Sequence, residues 1–304
     1  MKNTTKKTLI TIVGPTAIGK TALSIQLAKH FNTEIISCDS RQFYKEMAIG
    51  TAVPNTGELA AAKHHFIQSR SIFDDYNVGQ FERDGLEKIN QLFKTNNVVI
   101  MVGGSGLYID AILKGLDYFP DVDPKIREDL NKKLQEKGIK SLQNQLQKLD
   151  KETFATIAID NPQRVIRALE ICIGTGIPYS TFKNKPKATR SFTSIKIGLK
   201  ADREIIYNRI NQRVDSMLEN GLLAEAKELY KHKSLNALQT VGYRELFSYF
   251  NDEFTLDFAI SEIKKNTRRF AKRQITWFKR DTEIQWFDFK TDLPTIISTI
   301  TSNS

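Results

Sequence analysis

The chain has 304 residues, 40% of them hydrophobic, enough for one large domain, or one domain with an insertion, around a sizeable core. Its formal net charge of +10 points to a polyanionic partner, nucleic acid first. The two cysteines, Cys38 and Cys172, match neither a disulfide framework nor a metal spacing, and the four histidines form no ligand pattern, so the chain reads as cytosolic and reduced.

The basic start, MKNTTKKT, leads straight into a short apolar run, Leu9, Ile10, Ile12 and Val13. That run is too short for a signal peptide or a membrane span and reads as a buried parallel strand. Gly14-Pro15-Thr16-Ala17-Ile18-Gly19-Lys20-Thr21 follows at once and fits G-x-x-x-x-G-K-[ST] at every fixed position. An amphipathic helix then carries Leu23, Leu27, Ala28 and Phe31 on one side. Strand, glycine loop and helix in this order form a phosphate-binding loop: successive backbone N–H groups curl around anionic oxygens, and the helix points its positive end at them. Lys20 adds a point charge, and Thr21 offers a hydroxyl to Mg²⁺.

Glu34 to Cys38 reads as a second strand and ends in Asp39-Ser40-Arg41-Gln42. Ligands of doubly wound sheets sit at the carboxyl ends of strands, which places Asp39 beside the phosphate loop, as a catalytic group or as a local cap. Met47 to Pro54 is a loop by its glycine and proline, and Phe81 to Phe93 is helical. Val98 to Val102 is a third buried strand running into Gly103-Gly104-Ser105. A nucleotide hydrolase often ends such a strand with a metal-binding aspartate. Glycines stand here instead and let backbone approach a ligand closely.

From about Asp117 to Lys187 the pattern becomes helical. Asp123-Pro124 opens one helix that runs to Gly138, Ser141 opens a second, and Asn161-Pro162 opens a third that closes near Gly174. On the third, Val165, Ile166 and Leu169 point inward while Gln163, Arg164 and Arg167 project. With Lys183, Lys185, Lys187 and Arg190 in the following loop, these basic residues form either a solvated charged face or phosphate contacts, and the net charge favours phosphate. Ser194 to Leu199 alternates and returns to the sheet. Arg203 to Asn220 is a helix with a buried stripe of Ile206, Ile210, Val214 and Met217, and its Arg209 and Arg213, four apart on one flank, are either surface residues or a pair that would clamp a pyrophosphate. A last long helix, about Leu256 to Lys279, turns Ile263, Thr267, Phe270, Gln274 and Trp277 one way and spreads lysines and arginines over the rest, as an RNA-backbone groove requires.

The set GPTAIGKT (14–21), DSRQFY (39–44), MAIGTAVP (47–54), VGGSGLY (102–108), NPQRVIRALE (161–170), the Arg209–Met217 helix, VGYRE (241–245) and RRFAKRQITWF (268–278) resembles the bacterial tRNA dimethylallyltransferases, in the family's order and over nearly the whole chain. The resemblance implies a P-loop NTPase-like parallel sheet flanked by helices (1–116 and 188–304) with a small all-helical insertion (117–187) that contacts tRNA. It implies transfer of a dimethylallyl group from dimethylallyl diphosphate to N6 of the adenosine 3′ of the anticodon, in tRNAs reading codons that start with U. Gly14 to Thr21 would hold the diphosphate with Mg²⁺ at Thr21. Thr16 and Arg213 would steady the leaving group, and Asp39 would take the N6 proton. The anticodon stem-loop would meet Asp39, Ser40, Arg41, Gln42, Ser105, Arg127 and the segment Gln163, Arg164, Val165, Ile166 and Arg167. Ile18, where the family has a small residue, is expected to narrow the loop wall, and Ser105 stands where threonine is common. The chain is expected to act in the cytoplasm as a monomer, away from membranes. A P-loop kinase of a small metabolite or nucleotide is the alternative. It shares the loop but leaves the basic helix and the glycines of the third strand end unexplained.

Overall fold

The computed structural model describes residues 6–183 and 189–302. Leu9, Ile10, Ile12 and Val13 are apolar on both faces because β1 (Thr8–Val13) lies inside a parallel sheet between two other strands. In chain order, β1 is followed by α1 (Lys20–His30), β2 (Ile35–Ser37), α2 (Thr56–Ala61), β3 (His64–His65), α3 (Val78–Leu92), β4 (Val98–Val102) and α4 (Gly106–Lys114). An all-helical stretch comes next: α5 (Pro124–Leu149), α6 (Lys151–Thr156) and α7 (Pro162–Thr175). The chain then returns through β5 (Thr193–Lys200), α8 (Arg203–Glu219), α9 (Leu222–Leu229), α10 (Tyr243–Phe250), α11 (Leu256–Phe278), β6 (Gln285–Asp288) and α12 (Leu293–Ser302). The six strands pair in the order β3-β2-β4-β1-β5-β6, all parallel.

The alternation of β1 side chains decides which helices pack where. Ile10 and Ile12 join Leu23, Leu27 and Ala28 of α1 and Ile206 and Ile210 of α8 on one face. Leu9 and Val13 join Phe81 and Ile89 of α3, Ile109 and Ile112 of α4 and Phe278 of α11 on the other. A separate cluster joins Tyr44 and Met47 to Val214, Leu222, Leu246, Phe247, Ala259 and Ile263, and so ties the chain after β2 to the helices of the carboxyl-terminal half.

β5 does not alternate as expected. Ile195 through Leu199 are all buried, and the polar position between them, Lys196, is 8% exposed. Its ammonium is held by Asp281 and Glu283, each at 2.7 Å, and these two bonds raise its pKa against the lowering effect of burial. β6 lies outside β5 as a short edge strand of half-exposed residues. In α11 the buried stripe is Ala259, Ile263, Ala271, Gln274 and Phe278, whereas Phe270 and Trp277, expected inward, are more than a third exposed.

The chain divides into two compact units: one runs to Leu113 and resumes at Arg190, and the other spans Lys114–Thr189. In the helical unit, Asp123 accepts from Lys125 N and Asn161 from Arg164 N, each beside a proline in the first turn. Gly138 breaks α5 with φ 68, so α5 is two helices across a kink, with the break at the expected glycine. α7 runs past Gly174 and is capped by Gly176 in the left-handed conformation. Leu130, Leu142, Leu146, Val165, Ile166 and Leu169 fill the core of this unit. Leu142→Ala is expected to cost about 2–5 kcal/mol, read as a lowered urea midpoint of the transition that melts this unit.

Candidate active site

The 14–21 loop leaves β1 at Gly14, whose φ of 143 and close approach to the Leu199 carbonyl leave no room for a side chain. It enters α1 through Gly19, at φ 108. Between them Ala17 adopts φ 64, a left-handed conformation that an L side chain adopts at a cost. Two contacts from distant helices flank this turn. Arg209 Nε on α8 donates to Ala17 O at 2.6 Å, and Thr16 N donates to Gln274 Oε1 on α11 at 2.8 Å. Lys20 Nζ donates to the carbonyls of Gly14 and Pro15, which holds the ammonium across the loop. Ile18 is 1% exposed and packs with the core cluster beneath the loop, and it also lines the cavity beside it.

Two cavities meet beside this loop. The first, about 370 Å³, is lined by Thr16 to Ala22, Ser37, Asp39, Gln42, His64, Arg209 and Arg213. The second, about 450 Å³, is lined by Ser40, Arg41, Ser105, Arg244 and Arg273 and by an apolar wall of Val214, Met217, Leu222, Val241, Ile263 and Phe270. Thr16, Asp39 and Arg213 line both. Arg213 donates to Thr16 Oγ1 at 3.3 Å, which uses a lone pair of the hydroxyl and leaves its proton free to donate elsewhere. Burial, with the charge of Arg209 beside it, pulls Arg213 below its usual pKa. Burial also lowers Lys20 to about 8, against the opposing pull of Asp39 and with Arg213 adding to it. The junction therefore gathers cations at a cost in self-repulsion and desolvation that a bound polyanion would relieve.

The other expected contacts fall out unevenly. Asp39 Oδ1 accepts from Arg41 N, so the strand-end carboxylate is both a cavity group and a local turn former. Ser105 Oγ bonds Ser40 through both the main-chain N and the hydroxyl. Arg41 donates to the carbonyls of Asn236 and Ala237, and the Gln42 amide donates to those of Thr51 and Ala52, so both side chains brace loops at the cavity edge. Glu225 on α9 accepts from the three successive N–H groups of Ala48, Ile49 and Gly50 and from the Tyr243 hydroxyl, which sets the 48–50 turn. The glycines after β4 sit close against protein, since a Cβ on Gly103 would meet Cys38 and one on Gly104 would meet Gln274, and Gly103 also lines the first cavity. Neither the Glu225 contact nor the Gln274 contact leaves a sequence signal, because each joins a motif to a helix far along the chain.

The helical unit carries its own polar recess of about 390 Å³, lined by Asn161, Gln163, Arg164, Arg167, Tyr179 and Lys183. Gln163 and Arg164 are exposed, as expected. Arg127 and Arg167 both bind Glu170, and those bonds hold its carboxylate below the usual range although burial alone would raise it. Val165 and Ile166 are wholly buried, so their side chains cannot touch RNA. They were drawn into the expected contact segment only by lying between its polar residues. Arg190, expected on phosphate, instead ties Glu82 to the carbonyls of Ala111 and Ile112. Lys185 and Lys187 lie outside the described residues.

A family model described as IPP transferase matches residues 42–281. The chain belongs to the IPP transferase family. A tRNA dimethylallyltransferase of Flavobacterium psychrophilum is 62% identical over 96% of this chain and 97% of its own length, and one of Christiangramia forsetii is 62% identical over 97% of both. Among solved structures, a full-length tRNA isopentenylpyrophosphate transferase of Bacillus halodurans aligns with TM-score 0.72 and 36% identity over 98% of this chain and 95% of that one. A eukaryotic dimethylallyltransferase described as acting on tRNA aligns with TM-score 0.77 and 29% identity over 98% of this chain and 77% of that one. Sheet, glycine loop and helical insertion are thus those of an IPP transferase built on a P-loop NTPase-like core.

The Lys20 ammonium is charged below about pH 8 and neutral above it. With the ionisation of pyrophosphate itself common to both proteins, the affinity advantage of wild type over Lys20→Met should be full below that pH and shrink as pH rises through it. Calorimetric titration of the two proteins across this range checks the trend.

Proposed function

We propose that this IPP transferase moves a dimethylallyl group from dimethylallyl diphosphate to N6 of the adenosine 3′ of a tRNA anticodon and releases pyrophosphate. One observation carries the reading: Thr16, Asp39 and Arg213, with Thr51 and Ala52, line both cavities, so a diphosphate on the glycine loop and a base in the neighbouring cavity would meet beside the three functional side chains among them.

The exocyclic amine of adenine is a weak nucleophile because its lone pair is delocalised into the ring. The allylic C1–O bond breaks readily once charge on the departing diphosphate is neutralised, so positioning and electrostatics supply most of the catalysis. The amides of 17–21, Lys20 and Arg213 are grouped to take that charge. The Thr16 hydroxyl, accepting from Arg213, has its proton free for the oxygen that leaves C1. As the N6–C1 bond forms, pyrophosphate keeps the electron pair of the broken bond and Asp39 accepts the N6 proton. The apolar wall keeps water from the electron-poor C1.

Thr21 on the first turn of α1 shares its cavity with Ser37 and Asp39. A hydroxyl beside diphosphate oxygens fits Mg²⁺, which keeps several waters and needs few protein ligands. Such an ion would neutralise charge on the diphosphate. Among the described residues no helix is long and apolar enough to cross a membrane.

The target base is stacked in its loop and must be extruded to enter the cavity. Arg244 and Arg273 at the cavity edge and Gln163 and Arg164 on α7 are placed on surfaces that suit phosphate and base contacts.

Purified protein with Mg²⁺, labelled dimethylallyl diphosphate and a tRNA bearing adenosine 3′ of the anticodon should yield labelled tRNA. No label, with ATP turned over on a small acceptor, would mean the kinase reading. Asp39→Ala should lower turnover by roughly 10²–10⁴ while tRNA still binds; unchanged turnover would remove Asp39 from the chemistry. Affinity for tRNA should fall steeply with salt, because most contacts are to phosphate.

A further inference from the structure

We infer that Gln274 is a positioning residue for the diphosphate loop, holding the Thr16–Ala17 turn in its working conformation from helix α11; the inference rests on the reaction proposed above. Gln274 is 5% exposed and both ends of its amide are used. Its Oε1 accepts from Thr16 N at 2.8 Å, and its Nε2 donates to Gly104 O at 3.0 Å. One side chain thus fastens the glycine loop after β1 to the glycine stretch after β4.

The geometry is particular to an amide. Thr16 N–H needs an acceptor and Gly104 C=O needs a donor, and Gln supplies one of each on a planar group. Gly104 is the matching half of the device, since a Cβ there would stand 2.1 Å from Gln274 Nε2. That is the physical reason for glycine at the strand end. The same strand end in nucleotide hydrolases often carries a carboxylate for the metal, and here a neutral amide fills the space.

The need for such a fastening lies one residue on. Ala17 sits at φ 64, a conformation that persists only where surroundings over-determine it. Arg209 holds the far side of the turn through Ala17 O, and Gln274 holds the near side through Thr16 N. With its N–H committed to Gln274, Thr16 presents its hydroxyl beside Arg213, and the later amides of the loop remain for the anion. Gln274 touches no reacting atom in this account. It fixes where Thr16 stands.

Gln274→Met keeps the length of the side chain and removes both hydrogen bonds. It is expected to raise KM for dimethylallyl diphosphate and lower kcat, each at least tenfold, and to weaken pyrophosphate binding, with tRNA affinity within twofold of wild type. Gly104→Ala attacks the same contact from the opposite side and should reproduce that pattern. In Gly104→Ala/Gln274→Ala the space opens, and the double variant should be no worse than the worse single one. Wild-type KM and kcat in Gln274→Met would overturn the inference, as would equal losses of tRNA and pyrophosphate affinity in folded protein. If Gln274→Met does not fold, Gly104→Ala decides by the same criteria, and Gln274→Glu, which keeps the acceptor for Thr16 but loses the donor to Gly104, should fall between wild type and Gly104→Ala in pyrophosphate affinity. The pyrophosphate titration needs no turnover. A wild-type chain that transfers no label would therefore sink the proposed reaction while the role of Gln274 in anion binding still stood or fell by itself.

Discussion

A left-handed alanine sits at the turn of the diphosphate loop, and the arrangement of the larger unit follows from holding it there. Strand β1 delivers the loop, α1 carries it away, and α8 and α11 reach back to grip it through Arg209 and Gln274. These two helices come from the far end of the chain, so the loop is shaped by residues about two hundred positions or more away from it. A glycine at position 17 would relax the turn and give up rigidity. An alanine braced on both sides keeps the amides fixed before an anion arrives, and preorganisation of this kind is what electrostatic catalysis demands.

The positive charge of the chain does several different jobs. Lys20, Arg209 and Arg213 line the cavity beside the loop, where burial makes the Lys20 and Arg213 cations costly and an anionic ligand correspondingly welcome. Lys196 is buried in the sheet and satisfied by two carboxylates, so it contributes nothing to a field outside. Arg190 is spent on holding α3 to α4. Composition registers all of these as one excess, but a fraction of it faces a ligand.

The elements that could be read from the chain are those whose cause is local. The glycine loop, the central strands, the proline-opened helices and the break at Gly138 each follow from a few adjacent residues. Asp39 and Arg213 could be placed near the loop because strand ends and helical spacing fix their positions. What escaped is what depends on a distant partner. Edge strand β6 is only four residues long and takes its place from pairing with β5, and Lys196 has the pattern of the polar half of an alternating strand but is closed over by Asp281 and Glu283. The glycines after β4 admit Cys38 and Gln274 at close range, a packing requirement that the sequence does not reveal. Val165 and Ile166 show the opposite error, in which a contact segment defined by its ends sweeps in residues that the core had already claimed.

The turn at 48–50 has a further meaning. Three consecutive backbone N–H groups converge there on the carboxylate of Glu225. Convergent amides of this sort form a concavity that attracts anions, and left open it would compete for the phosphates of the substrates. The protein has plugged that decoy with a charge of its own. A phosphate approaching the cavities finds one amide cradle already neutralised and another, at residues 14–21, still positive, and the contrast directs it to the place where the leaving group must be held.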